Sequence, residues 1–252
     1  MGNFFNLNET GINYDLYTGE LAELSLNSKI VINTINQYSY CMAEEDPEFK
    51  EALTSSDILL PDGDGVVLAE RILSGKKIKK ISGTDLHQHM LKTLNEKGGR
   101  CFYLGSSEST LQKIKNKVSL EFPKIKVEYY SPPFKAIFSM EDNRAMIKAV
   151  NLFAPDVLFI GLTAPKQEKW SQLCKDQIHA KAICSIGAVF DFYSETIKRP
   201  NERLVRNKME WMGRLLSNPS RMWKRYIYYG PIYMFYIIKL KLYRKYHKVL
   251  SK

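Results

Sequence analysis

Two carboxylates stand one residue apart, flanked by glycines, in the stretch Leu59 to Glu70, LLPDGDGVVLAE. Asp62 and Asp64 in this arrangement offer three kinds of chemistry. As paired oxygen ligands they would hold Mg or Mn against a nucleotide diphosphate, as in one large class of glycosyltransferases. As a single general base, one of them would take a proton from an attacking hydroxyl. As a plain strand-to-helix turn, the glycines would supply positive φ and the aspartates would cap the next helix. A calcium loop of the EF-hand type is excluded, because it needs a glycine and a glutamate where this chain has Val67 and Leu73.

Other polar groups recur at comparable places. NTIN brings Asn33, Thr34 and Asn36, residue types common in turns. GLTAPKQEKW places Pro165, Gln167, Glu168 and Trp170 between an apolar run and a helical one, a pattern that serves either a site or helix capping with Trp packing. LGSSEST has one glycine, so it is no dinucleotide fingerprint, although amides at a helix N-terminus can meet a phosphate. His87, His89, His179 and His247 show no nucleophile or metal arrangement. Cys41, Cys101, Cys174 and Cys184 lack CxxC or zinc spacing and read as reduced, buried thiols.

The elements that must position these groups alternate. KIVIN, DILL, RCFYLG, KVEYY, PDVLFIG and AKAICSIGAVFDFYS read as strands, the last as one apolar strand. Between them lie helical patterns: QYSYCMAEEDPEFKEAL, interrupted at Pro47; GVVLAERIL, stopping near Gly75; LHQHMLKTLNEK, stopping at Gly98-Gly99; TLQKIKNKVSLEF; EDNRAMIKAVNLF; and KQEKWSQLC. Such alternation predicts an α/β fold, a Rossmann-like, mostly parallel sheet with helices on both faces. Ligands of such sheets sit beyond the carboxyl ends of the strands, where the loops NTIN, PDGDG, GSSES and GLTAPKQE should gather.

Charge divides the chain. From Thr196 onward there are 15 Lys or Arg against Glu202 and Glu210, whereas the preceding residues carry 22 basic and 25 acidic side chains. This predicts an α/β domain over 1–195 and a basic helical C-terminal appendage over 196–252. In the appendage NERLVRNKMEWMGRLL and PSRMWKRYIYY are amphipathic, and YIYYGPIYMFYII runs 13 residues without a charge. A spanning helix needs about 20 apolar residues, and Gly230-Pro231 is expected to break this one. A Tyr-rich apolar run between basic clusters predicts a segment lying in the membrane interface against anionic lipids. The N-terminus MGNFFNLNETG lacks the features of a secretory signal, so a cytoplasmic protein is expected.

Five motifs in order, PDGDGVVLAERIL, KKISGTDL, LFIGLTAPKQEKW, SIGAVFDFYS and EWMGRLLSNPSRMWKRY, resemble the WecG/TagA/CpsF glycosyltransferases over about Ser28 to Tyr226. The resemblance implies transfer from a UDP-sugar to a polyprenyl-diphosphate-linked sugar at the inner face of the cell membrane. It implies inversion, with no cofactor and no required metal, during assembly of teichoic acid, capsule or exopolysaccharide. The family's proposed base falls on Asp62, with Thr34 and Asn36 beside it in a Thr-x-Asn pattern; Asp64 falls on a variable position and would raise the proton affinity of Asp62. Substrate-binding roles fall on Asn33, Lys80, Gly105, Gly161, Gln167, Glu168, Asp191, Arg214, Arg221, Lys224 and Arg225. Lys80 stands where the family commonly has Arg, so the planar two-pronged contact is lost. Arg221, Lys224 and Arg225 share a helix face by spacing and would meet lipid phosphates or the acceptor diphosphate. DFYSETIKRPNERLV lacks the Gly and Arg-Ala-Pro usual after the FDF motif, so the resemblance leaves the sugar open, and it is compatible with a homo-oligomer.

Two rival readings compete. The basic tail would also neutralise nucleic-acid phosphates, but its apolar Tyr-rich run has no base-reading arrangement, so no nucleic-acid partner is expected. A catalytically inactive assembly scaffold of the same family would not need Asp62, Thr34 and Gln167 at the matching positions.

Overall fold

A computed structural model of the chain describes residues 12, 14–24, 26, 28–197, 210–217 and 219–250. Six short apolar runs form one sheet: β1 (Ile30–Ile35), β2 (Ile58–Pro61), β3 (Arg100–Gly105), β4 (Lys126–Tyr130), β5 (Val157–Gly161) and β6 (Ala182–Ser185). Their order is β2-β1-β6-β5-β3-β4, with every pairing parallel. Parallel neighbours need crossovers, and helices supply them. After β1 come α1 (Gln37–Glu45) and α2 (Pro47–Thr54); after β2, α3 (Asp64–Ser74) and α4 (Gly83–Lys97). Then α5 (Glu108–Glu121), α6 (Met140–Phe153), α7 (Lys166–Cys174) and α8 (Val189–Tyr193) follow β3, β4, β5 and β6 respectively.

Both faces of the sheet are covered, which is why its strands are apolar at successive positions rather than at alternate ones. Ile32, Leu60, Cys101, Tyr103, Val157, Phe159 and Cys184 point to the side packed by α4, α5 and α8. Val31, Phe102, Leu104, Leu158, Ile160 and Ile183 point the other way, onto α6 and α7. Helix starts are fixed by side-chain caps: Asp46 Oδ1 accepts from Phe49 N before Pro47 opens α2, and Ser82 pairs reciprocally with Asp85 at α4. Gly75 and Gly98 close α3 and α4 in the left-handed conformation.

Three expectations are corrected. The first strand runs to Ile35, so Asn33 and Thr34 are strand residues and Asn36 is a helix cap. SIGAVFDFYS is not strand: β6 ends at Ser185, the chain turns through Gly187 at φ +50°, and Asp191 rides on α8. An apolar strand and a short apolar helix differ only in a turn that one glycine makes. Finally, Gly230-Pro231 breaks nothing. The tail forms α9 (Glu210–Ser217), α10 (Pro219–Trp223), a π-helical turn over Lys224–Tyr228, and then α11 (Tyr229–Leu250). Pro231 falls in the first turn of α11, and the wide turn before it, in which Tyr229 N donates to Lys224 O, accommodates a residue without an N–H.

This tail is seated on the α/β body. Tyr233 and Ile237 are buried with Tyr40, Phe49 and Val66 in a third cluster, and the Tyr40 and Tyr233 rings meet edge-on at 5.2 Å. The apolar segment read as wholly interfacial is therefore two-sided. Its inner residues complete the core, while Phe235, Ile238 and Leu242 stay exposed on the outer face. Among the described residues no helix is long and apolar enough to cross a membrane.

Candidate active site

The carboxyl ends of all six strands lie along one edge, and the polar loops collect there as the alternation predicted. Asp62 directly follows β2, and its backbone N–H donates to Ile35 O at 2.8 Å, which fixes it beside the end of β1. Gly63, at φ +149°, turns the chain into α3, and a Cβ there would come 3.0 Å from Gln37 Oε1. Asp64 thus opens α3, where a carboxylate suits the helix dipole. Its Oδ2 lies 3.6 Å from Lys80 Nζ. The two aspartates have different surroundings, and Lys80 tempers the field that Asp64 exerts on its neighbour. No group of three His, Cys, Asp or Glu among the described residues is placed to hold a metal ion.

Strand alternation separates the NTIN residues. Thr34 lines a chamber with Asp62. Asn33, one residue earlier, points to the opposite face, where it is fully buried and its Nδ2 donates to Ser56 Oγ at 2.8 Å and to Ala52 O at 3.2 Å. The structure therefore does not bring Asn33 to the site; it ties β1 to the end of α2. Asn36 lines the same chamber as Thr34, with Oδ1 committed to Tyr38 N and Ser39 N as the cap of α1, which leaves the amide donors for a ligand.

Three hollows adjoin along the edge. A chamber of about 120 Å³ on the tail side contains Asp62, Asp64, Lys80 and Arg225. A central chamber of about 90 Å³ contains Thr34, Gln167 and Glu168, and shares Asn36, Asp62 and Arg225 with the first. Thr163, Gly187 and Ala188 then form the shared wall with a third cavity of about 700 Å³. Asp62 thus stands between the first two.

The third cavity sits where the topology predicts a ligand. β3 connects outward to β4, and β5 connects the other way to β6, so the crevice opens between them. Gly105 and Gly161 face each other in register at that point. Gly161 and Asp191 line the cavity together with Ser107, the cap of α5. Gly105 underlies it: at φ +114°, a Cβ there would stand 2.6 Å from Gly161 O.

Gln167 and Glu168 are the most unusual polar pair in the wall. Gln167 Nε2 donates to Glu168 Oε1 at 2.9 Å, while Gln167 Oε1 and Glu168 Oε2 are buried without a protein partner. Gly187 permits the approach, since a Cβ there would lie 3.2 Å from Gln167 Oε1. Burial pushes the Glu168 carboxyl up to about 7, against a smaller opposing effect of the Gln167 hydrogen bond. Raised pKa values of this kind mark functional carboxyls more often than chance. The stability consequence has a definite sign. The folded protein holds a proton that the unfolded chain releases near 4.5, so stability is full below that value and declines as pH rises to about 7. Glu168→Gln is expected to abolish that decline, gaining on the order of 3 kcal/mol over wild type at pH 8. Thermal melts of both proteins from pH 5 to 8 check it, and parallel curves would refute it.

The tail supplies the remaining wall. Arg225, in the π-helical turn, lines both small chambers with its guanidinium carbon 4.8 Å from the centre of the Tyr38 ring. Lys224 is exposed and lines neither chamber. The side chains of Arg214 and Arg221 lie outside the described residues, as does most of the stretch that departs after the FDF motif. Gln37, Tyr38, Gly187, Trp211 and Tyr226 also line the small chambers, though none of them stands out as a site residue in the amino-acid sequence. Gly187 alone carried a local signal, a glycine directly after an apolar strand.

The chain also matches known proteins over most of its length. The family model described as "Glycosyl transferase WecG/TagA/CpsF family" matches residues 3–247. The chain is 31% identical over 195 residues to an N-acetylglucosaminyldiphosphoundecaprenol N-acetyl-β-D-mannosaminyltransferase of Bacillus subtilis, covering 77% of this chain and 74% of that protein. A Staphylococcus aureus protein of the same name is 25% identical over 222 residues, covering 87% and 84% respectively.

Proposed function

The chain belongs to the WecG/TagA/CpsF family of glycosyltransferases, and on that premise we propose that it moves an N-acetylhexosamine or related hexose from a UDP-sugar to an undecaprenyl-diphosphate-linked sugar, with inversion and without a metal. The observation that carries this reading is the placement of Asp62 between two small chambers, with a cavity of about 700 Å³ continuing beyond. That cavity is of the size of small-molecule sites and takes the donor nucleotide. The tail-side chamber takes the acceptor.

In this reading Asp62 accepts the proton of the acceptor hydroxyl as the oxygen bonds to the anomeric carbon. The bond from that carbon to the diphosphate breaks on the opposite face, the electron pair leaves with UDP, and a single displacement inverts the centre. One carboxylate suffices. Thr34 and the Asn36 amide orient the reacting sugars, Gln167 and Glu168 hold hydroxyls of the donor, and Arg225 and Lys80 offset phosphate charge. The names of the relatives, which specify a GlcNAc-diphosphoundecaprenol acceptor and a transferred N-acetylmannosaminyl group, support a role in teichoic acid or related envelope polysaccharide assembly. The exposed apolar face of α11, with its basic neighbours, supports a peripheral position on the inner face of the cell membrane.

The test is direct. Purified protein is given a short-chain polyprenyl-diphosphate GlcNAc acceptor and a panel of UDP-sugars with a chelator present, and product mass is measured. Gain of one N-acetylhexosamine from UDP-ManNAc is expected. Absence of product with every donor would sink the reading, and activity lost to the chelator but restored by Mn would revive the Asp62/Asp64 metal pair.

A further inference from the structure

The tail-side chamber contains two aromatic rings that neither base catalysis nor charge neutralisation uses. Trp211 of α9 and Tyr226 of the π-helical turn line it together with Asp62 and Asp64, with ring centroids 6.0 Å apart and planes inclined at 57°. Trp211 is 45% exposed. An indole left half open beside a polar floor is a surface waiting for a flat apolar partner, because covering it removes apolar area from water.

The chemistry of the floor restricts that partner. Two carboxylates repel a diphosphate, so the phosphate part of a lipid-linked ligand belongs nearer Lys80 and Arg225. What fits a chamber lined by both carboxylates and aromatic rings is a neutral group with hydroxyls around its rim and C–H bonds on its faces. A pyranose ring has that form. Anchoring to lipid does not explain the placement, since Trp223 and Tyr228 are about as exposed, at 49% and 52%, yet line none of the three hollows.

We infer that Trp211 and Tyr226 form a stacking platform for the sugar ring of the lipid-linked acceptor, so that the tail positions the attacking hydroxyl over Asp62. This rests on the acceptor reading proposed above and adds a specificity-determining role that sits on the tail rather than on the α/β body. The platform selects a saccharide with an unhindered C–H face, and it is complete only while α9 and the π-helical turn are seated.

The experiment is steady-state kinetics with a water-soluble short-chain acceptor and no membrane. Trp211→Ala is expected to raise the acceptor KM by about tenfold while leaving the KM for the UDP-sugar unchanged. Trp211→Phe, which keeps a stacking ring, should recover most of the loss, and Trp223→Ala should match wild type. An unchanged acceptor KM in Trp211→Ala, or an equal rise in Trp223→Ala, would overturn the platform. If Trp211→Ala does not fold, Trp223→Phe carries the test: its remaining exposed indole should change emission when acceptor is added and not when UDP is added, and a flat response overturns the inference. A wild-type protein that transfers no sugar to any lipid-diphosphate acceptor condemns the functional reading; an active wild type with an insensitive Trp211→Ala condemns only the platform.

Discussion

Asp62→Asn is expected to lower sugar transfer by about 10²–10⁴-fold, the range associated with loss of a positioned general base, while binding UDP as wild type does. The substitution is nearly isosteric, and the contact that places the residue, from its backbone N–H to Ile35 O, does not involve the side chain. An amide cannot accept the proton of the incoming hydroxyl, so the loss should fall on kcat. Asp64→Asn is the informative partner. Asp64 faces Lys80 at 3.6 Å and takes no proton in the transfer, so its loss should lower activity only modestly. If instead the two variants lost activity equally and Mn rescued neither protein, the division of labour between the carboxylates would be wrong. Full activity in Asp62→Asn would remove the base altogether.

The position of Asp62 is legible in the amino-acid sequence, because a residue directly after an apolar strand of a parallel sheet falls at the carboxyl edge, where the loops gather. Strand and helix order is legible for a similar reason: most crossovers carry their own cap, as Asp46, Ser82 and Ser107 do, and local chemistry is written locally. Sequence and structure part where one residue of register or one turn decides. Asn33 and Thr34 are equally polar neighbours, and only the pleat sends one to the chamber and the other into the core beneath α2. The run from Ala182 to Tyr193 is apolar almost throughout, so nothing but Gly187 signals that strand becomes helix. Gly230-Pro231 has the composition of a break, yet the π-helical turn upstream leaves Pro231 no carbonyl it must serve. Least legible are Trp211 and Tyr226. They share a chamber with Asp62 because α11 docks through Tyr233 and Ile237 onto α1 and α3, and no local pattern encodes a juxtaposition made across more than half of the chain.

The donor cavity yields the second large effect, on stability and binding together. Gly105→Ala is expected to destabilise the protein by about 3–5 kcal/mol, through two additive causes, backbone strain and overpacking. A non-glycine residue at φ +114° costs roughly 1–3 kcal/mol. The added Cβ would also stand 2.6 Å from Gly161 O and 2.9 Å from Leu162 Cδ2, and the carbonyl is backbone of the paired strand, so relief requires β3 and β5 to part at the switch point. Gly75→Ala separates the causes. Its φ is +78° but nothing lies within 4 Å of the new Cβ, so it should cost only about 1–2 kcal/mol, the conformational part alone. For a chain of this length the melting temperature should fall by roughly 10 °C or more in Gly105→Ala and by a few degrees in Gly75→Ala. Parting the two strands also reshapes the floor under the donor, so UDP affinity, measured at a temperature where both variants are folded, should drop in Gly105→Ala and hold in Gly75→Ala. Equal melting temperatures would show that the strands yield without cost. Retained UDP affinity in a destabilised Gly105→Ala would move the nucleotide away from the β3/β5 crevice, and with it the direction from which the donor sugar reaches Asp62.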